Sequence, residues 1–488
     1  MKTEVTAETA ETEVTVETEV TAETVETEET VEIVEIVEQP ETLETPERAK
    51  LQELDIDAES DGFTESGFPG IRFDAVTVGG GAAGIFASLA AASRGLKVCI
   101  VEKNASLGRK LCITGKGRCN LTNDCDREEF FDSIPENPKF MYSAYSKFSN
   151  KDVIEYFESL GVATVTERGK RVFPVTQNAK TVRDALRERL RALGVKIYYN
   201  TAVTDILAED GKVCGVLLST NSMKIYAKAV IVATGGLSYP LTGSTGDGYK
   251  FAAKFGHGVE NLKPALVGVK TKETFAERLA GLTLKNVSVS FSKCDKIIYE
   301  DFGELLFTHT GVSGPTVLSS SFELAKYGYK DIVLTVDLKP ALDAATLDAR
   351  ILREFQSSPR RSFLNFLKTM LPGSLAEVFP ELLGIKADTR SCDIDKTGRL
   401  ATIGLLKNFR LSITGHGPFD EAIITIGGVD TKDIDPGTME SKLLKGLYFA
   451  GEVLDVAGYT GGFNLTIAFS TGRLAGESAA ARLLGDGK

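Results

Sequence analysis

Over the first 67 residues, polar and apolar positions follow one another without building a continuous apolar face. The chain runs TEVTAETAETEVTVETEV and continues in Thr/Glu/Val near-repeats. Such a segment buries too little apolar surface to offset the entropy of ordering the backbone, so residues 1–67 are predicted to be a disordered acidic tail. From residue 73 the pattern changes. DAVTV (74–78) is a short β-rich run, AAGIFASLAAASRG (82–95) has helical composition ending in a glycine, and KVCIVEK (97–103) is a second strand. Together they predict a β-α-β unit at the start of the folded region.

Further along, DVIEYFESLG and KTVRDALRERLRALG have the spacing of amphipathic helices. VKIYYNTAVTDIL, KVCGVLLST and MKIYAKAVIVATGG read as strands, the last apolar enough to lie centrally in a parallel sheet. Residues 259–340 are mostly β in pattern, 341–404 mainly helical, and strand and helix signals return after 425. A middle region unlike both flanks predicts an insertion between two halves of one α/β domain. The expected boundaries are 68–240 with 425–488 for the α/β domain, 241–340 with 405–424 for a β-rich substrate domain, and 341–404 for a helical subdomain.

Charge sharpens this division. The formal net charge is −12 over 488 residues, but residues 1–67 hold 22 acidic and 3 basic side chains, leaving 53 basic against 46 acidic in the rest. A mildly basic body suits an anionic cofactor and is too weak to argue for nucleic acid. No apolar run reaches the ~18 residues needed to span a membrane, and neither a secretory signal nor a standard transit peptide is evident. The partners expected are therefore a small-molecule substrate, with no nucleic acid and no membrane. Seven cysteines without a CxxC pair and only three histidines fit a reducing compartment, cytoplasmic by default, with an organelle such as a plastid as the alternative. No metal site is expected.

The candidate chemistry begins at Gly79, Gly81 and Gly84, a G-x-G-x-x-G after a strand and before a helix, followed by Glu102 at the end of the next strand. Gly79 permits a tight turn, Gly81 admits a pyrophosphate to the amides of Ala82 and Ala83, and Gly84 allows close helix–sheet packing. The helix start offers free N–H groups to phosphates, and Glu102 can accept both hydroxyls of an adenosine ribose. The ligand is an ADP-containing dinucleotide, FAD or NAD.

Three features favour FAD. After Lys103 the stretch SLGRKLCITGKGRCNLTN runs long; Gly108, Thr114, Gly115, Gly117, Cys119 and Asn120 give backbone or neutral contacts, and Arg109, Lys110, Lys116 and Arg118 give cations for an extended molecule. AVIVATGG ends in small residues, Ala233, Thr234 and Gly235, where backbone can lie close to a cofactor. Near the C-terminus, Gly451 and Glu452 can meet a ribityl hydroxyl. Gly461 and Gly462 open a helix whose first residues, Phe463, Asn464 and Leu465, can face the flavin edge and favour negative charge there.

VGGGAAG, GRKLCITGKGRCNLTN, RVFPVTQNA, ATGGLSYPLTGSTGDGY, FTHTGVSGPTVL and MESKLLKGLYFAGEVLDVAGYTGGFN together resemble the FAD-dependent oxidoreductases that include bacterial aminoacetone oxidases and bile-acid 3-dehydro-Δ4,6-reductases. The resemblance spans about residues 73–488. It implies a split Rossmann-type FAD-binding domain interrupted by a β-rich domain carrying a helical subdomain, with FAD along the residues named above and the backbone of Val203 at the adenine. LTIAFSTG stands where relatives carry bulkier aromatics, implying a different pocket wall. The expected activity is transfer of hydride or electrons between flavin and a small organic substrate, with NAD(P)H as transient donor or oxygen as redox partner. The alternative is a structural or regulatory flavin, with the acidic tail recruiting a partner. His309 and Tyr459 are the candidate proton-transfer groups, with His257 third; a purely structural histidine is the competing reading of His309, and Tyr239 reads as packing near an interdomain strand.

Overall fold

The computed structural model describes residues 71–220 and 222–485; the expected acidic tail lies outside them. A five-stranded sheet, all parallel, forms the centre, in the order Leu447–Phe449, Ala229–Val232, Ala75–Val78, Val98–Val101, Lys196–Tyr198. Every residue of Ala75–Val78, Val98–Val101 and Ala229–Val232 is buried, which is why these strands read as continuous apolar runs. The helix Ala82–Ser93, small and apolar on all sides, packs against the C-terminal helix Phe463–Leu484. A Cβ on Gly472 or Gly476 would collide with the carbonyl oxygens of Ala83 or Ala87, so glycine sets how closely these two helices approach.

Two expected strands divide. VKIYYNTAVTDIL becomes Lys196–Tyr198, in the central sheet, and Val203–Glu209, in a second sheet of four strands; between them Asn200 turns the chain at φ 51°. MKIYAKAVIVATGG becomes Lys224–Tyr226 and Ala229–Val232, which lie in the same two sheets. The periodicity of a strand carries no mark of which sheet it joins.

The inserted region forms a closed barrel of Val269–Thr271, Gly311–Ser313, Lys296–Thr308, Thr283–Lys293, Ile332–Asp337 and Phe409–His416, each paired antiparallel to its neighbours. The helices Ala344–Ser357, Phe363–Leu367, Gly373–Leu383 and Lys396–Lys407 share its core, where Phe291, Phe307, Phe366, Phe379 and Leu406 are buried together. The helix Asp247–Lys254 instead sends Tyr249, Phe251 and Ala252 into the core of the parallel sheet. The fold is thus α/β, a Rossmann-type sheet with an inserted barrel and helices.

Candidate functional site

A cavity of about 940 Å³ opens at the C-terminal ends of four of the five parallel strands and extends to residues flanking the barrel. That is the crevice where open parallel sheets bind their ligands, and its size is near the upper end of the ~300–1,000 Å³ usual for such sites.

At one end the three glycines have different reasons to be glycine. Gly79 sits at φ 100°, and a Cβ there would come 2.6 Å from the Ala233 carbonyl oxygen. A Cβ on Gly84 would collide with the Gly79 carbonyl. Gly81 has φ −81°, caps the helix Ala82–Ser93 without a side chain, and has no atom within 4 Å of its absent Cβ. The protein itself demands the first two, whereas the space at Gly81 belongs to the cavity. Beside it, the buried Glu102 accepts from the Gly80 amide at 2.7 Å through Oε2, and from the Asn104 amide at 2.8 Å and side chain at 2.7 Å through Oε1. Oε1 is thereby filled, and Oε2 keeps capacity for a further donor. A strap over this end is held by Lys103, which donates to Asp247 at 2.7 Å and Thr245 at 2.5 Å, and by Asn104, which donates to the Thr242 carbonyl at 3.1 Å.

In the middle, Lys110 Nζ donates to Glu452 Oε2 at 2.6 Å and to Ser238 at 2.7 Å. Glu452 Oε1 accepts from the Ser238 hydroxyl at 2.7 Å and the Thr425 amide at 2.9 Å. Four distant segments of chain meet on one carboxylate.

At the far end, Gly462 caps the helix Phe463–Leu484 at φ 105°, and a Cβ on it would collide with the Thr122 carbonyl. Asn123 Nδ2 donates to the Gly461 carbonyl at 3.1 Å, and the hydroxyls of Thr122 and Thr466 meet at 2.7 Å. Asn464 clamps the preceding turn: its Oδ1 accepts from the Gly458 amide at 2.9 Å, and its Nδ2 donates to the Gly458 carbonyl at 2.7 Å. Tyr459 lines the cavity with a phenol that finds no hydrogen-bond partner among the described residues, its ring edge-on to Phe322 at 5.2 Å. Burial pushes that phenol above its ordinary pKa, so it stays protonated at neutral pH. Leu266, Pro315, Leu318, Ile423 and Ile424 supply apolar lining. Asn120 Oδ1 and Thr234 Oγ1, on two other lining residues, are buried without a partner. Buried polar atoms rarely stay unpaired. With the empty space at Gly81, they fit a large ligand with hydroxyl and amide groups.

The family described as HI0933-like protein Rossmann domain matches residues 73–478. The chain belongs to this family. This HI0933-like chain is 34% identical over 409 residues to the 3-dehydro-bile acid delta(4,6)-reductase of Clostridium scindens, covering 83% of this chain and 98% of that protein. It is 33% identical over 400 residues to the ribosomal RNA dihydrouridine synthase of Haemophilus influenzae, covering 81% and 96%, and 30% identical over 400 residues to that of Escherichia coli, covering 82% and 96%. Among solved structures, an E. coli quinol fumarate reductase aligns with a TM-score of 0.48 at 18% identity, covering 86% of this chain and 72% of that one. The HI0933-like chain is an FAD-dependent oxidoreductase of Rossmann type.

The cavity gathers most of the residues expected to hold the cofactor, from Gly79, Gly81, Ala82, Ala83, Glu102 and Lys103 to Gly461, Gly462, Asn464 and Leu465, with Val203 among them. Four others do not line it. Gly84 is spent on packing, and the Gly117 carbonyl accepts from the Ala179 amide. Cys119 is fully buried, its thiol pushed up to about 12 by that burial, and Phe463 packs on Phe130 at 5.9 Å. His309 is also absent from the lining: it sits in the exposed turn between Lys296–Thr308 and Gly311–Ser313, because the motif that holds it folds as a barrel hairpin. His257 is buried away from the cavity, bonded to the Ala252 carbonyl at 3.0 Å and Ser441 at 2.7 Å. Among the described residues no His/Cys/Asp/Glu group could hold a metal, and the cysteines are free.

Sequence reasoning missed Ser238, Thr425 and Arg171. Only the proximity of SYP to the glycine-rich strand end hinted at the first; the other two reach the cavity from elements remote in sequence.

Proposed function

We propose that this chain reduces a carbon–carbon double bond conjugated to a carbonyl, with NAD(P)H as the source of electrons. The observation that carries the reading is the unpartnered Tyr459 phenol, in one cavity with the Gly461–Gly462 helix start and an apolar wall. The relatives' names support it: a Δ4,6-reductase acting on a 3-dehydro bile acid and a synthase making dihydrouridine both saturate a C=C in conjugation with C=O. The apolar wall of Leu266, Leu318 and Ile423 favours a small apolar substrate over a nucleic acid. The free cysteines suit a reducing compartment.

FAD, when bound, supplies two-electron reducing power at its N5. Glu102 would hold the adenosine ribose, the helix start at Gly81 would take the pyrophosphate, and the Lys110–Glu452–Ser238 cluster would orient the ribityl chain. The Gly462-capped helix start would offer its positive end to the flavin ring. The barrel-side apolar residues exclude water and hold the substrate's carbon frame. Tyr459 delivers a proton to the α-carbon and regains one from solvent. The substrate gains one hydride equivalent at its β-carbon and that proton at its α-carbon, and NAD(P)H leaves as NAD(P)⁺.

Tyr459→Phe keeps the flavin spectrum and its bleaching by NADPH, and slows substrate-driven return of the flavin band about 100-fold, the lower end for loss of a general acid. Anaerobic stopped-flow absorbance reads both halves. Equal reoxidation rates remove Tyr459 from the mechanism. Oxygen-dependent oxidation of an amine, with no reaction of a conjugated carbonyl compound, overturns the reading.

A further inference from the structure

The basic stretch that follows Lys103 does not direct all its charge at one ligand. Arg109 donates to Asn104 at 2.8 Å, Lys110 pairs with Glu452 at 2.6 Å, and Arg118 pairs with Glu167 at 3.0 Å. Lys116 has no partner among the described residues, although it lines the cavity and is exposed. Its backbone is held at φ 58° between Gly115 and Gly117, a region where asparagine or glycine would be less strained.

A second unneutralised cation stands near. Arg171 is cross-strand from Asn123, the residue that holds the Gly461 carbonyl. Its Nε donates to the Arg168 carbonyl at 3.1 Å, and no carboxylate pairs with it. The Phe173 ring carries the Arg118 guanidinium at 4.1 Å and that of Arg171 at 6.0 Å, while Gly115 abuts the same ring. The nearby acids are already matched: Glu167 to Arg118, Glu129 to Lys170 and Asp124 to Lys151. Ile113, 45% exposed, lies on the same stretch and also lines the cavity. Two free cations beside an exposed apolar side chain are the chemistry of nucleotide recognition, a phosphate held by charge and a ring by contact.

Arg171 is tied to the Gly461–Gly462 end through Asn123, and Gly115, next to Lys116, abuts the Phe173 ring that Arg171 also meets. The cofactor's own pyrophosphate belongs with the helix start at Gly81, where the Gly108 amide donates to the Gly80 carbonyl. We propose that Lys116 and Arg171 form a phosphate subsite for a nucleotide reactant that visits the flavin, with Ile113 against its ring. The proposal rests on the function proposed above, because it takes the Gly461–Gly462 end as the ring end. The phosphate comes from the reduced nicotinamide dinucleotide or from a nucleotide substrate, and the experiment separates the two.

The FAD-loaded protein and its K116A/R171A variant are compared in two arms. In the first, anaerobic flavin bleaching is followed with NADPH and with 1-benzyl-1,4-dihydronicotinamide, a donor without phosphate. In the second, binding of uridine 5′-monophosphate and of uridine is read from flavin fluorescence, with no turnover required. A loss of about tenfold or more with NADPH, the phosphate-free donor being unaffected, supports the subsite and assigns the dinucleotide. A similar loss for uridine 5′-monophosphate alone, uridine being unaffected, supports it and assigns a nucleotide substrate. R171K restores part of either loss. No loss in either arm, equal losses with the phosphate-free compounds, or loss of bound FAD overturns the proposal. Failure of the unmodified protein to accept electrons from NADPH contradicts the proposed donor, and the binding arm then decides the subsite by itself.

Discussion

At the scale of single residues, the Gly79–Gly81–Gly84 motif separates what folding needs from what a ligand needs. Gly84 faces the Gly79 carbonyl with no room for a methyl group, while the position of a Cβ on Gly81 meets nothing within 4 Å. Gly84→Ala must therefore move a helix off the sheet, and it is expected to cost roughly 2 kcal/mol or more, as overpacked cores do. Gly81→Ala changes only an N-cap, worth about 1 kcal/mol at most, yet it puts a methyl group where the proposed function sets the pyrophosphate. Thermal melts of the two apo variants, with FAD titrations followed by flavin fluorescence, check the pair. Gly84→Ala lowers the melting temperature with or without FAD, whereas Gly81→Ala melts near the parent and binds FAD at least about tenfold more weakly. A Gly81→Ala variant with parental FAD affinity would remove the pyrophosphate from this helix start.

At the scale of elements, the most informative piece is the two-residue strand Thr122–Asn123. It pairs with Arg171–Pro174 and braces the Gly461–Gly462 turn, so it serves the site by holding another element in place. Asn123→Ala deletes the donors to the Gly169 and Gly461 carbonyls, at 3.0 and 3.1 Å. It is expected to cost about 1–3 kcal/mol of stability and to weaken FAD binding several-fold, both measurable by melting with and without cofactor. Unchanged FAD affinity would show that the turn keeps its form unaided. Here the limits of sequence reading are physical. Glycine spacing, the acid after the second strand and the apolar strand runs are local signals, and the cavity gathers most of the residues they pointed to. The partners of the cations were not legible, because Glu167 and Glu452 reach Arg118 and Lys110 only through the tertiary fold. His309 drew notice as a histidine in a distinctive block, and its hairpin turn placed it outside the cavity. The division of one long β-pattern between two sheets turned on Asn200, a residue that apolar periodicity passes over.

At the scale of the whole molecule, the core of the parallel sheet and a small cluster around Leu266, Phe322 and Ile424 meet at one cavity. The parallel sheet and its helices supply the dinucleotide cradle, and residues flanking the barrel supply the apolar wall. The cradle's polar groups occur at the ends of four neighbouring strands of the parallel sheet, so a cofactor there spans the edge of that sheet. Binding of FAD to the folded state alone also raises stability by mass action, about 2.7 kcal/mol at a hundredfold excess over Kd. The central claim joins the two halves: a flavin in the cradle reduces a conjugated double bond held against the wall. The most direct measurement is anaerobic absorbance of the FAD-loaded protein, bleached by one equivalent of NADPH and then mixed with a 3-oxo-4,6-diene steroid acid. The account predicts that the visible flavin band bleaches, then returns as one equivalent of double bond is saturated. A band that bleaches and stays bleached with this acceptor and with other conjugated carbonyl compounds, uridine included, returning only when oxygen is admitted, would contradict it.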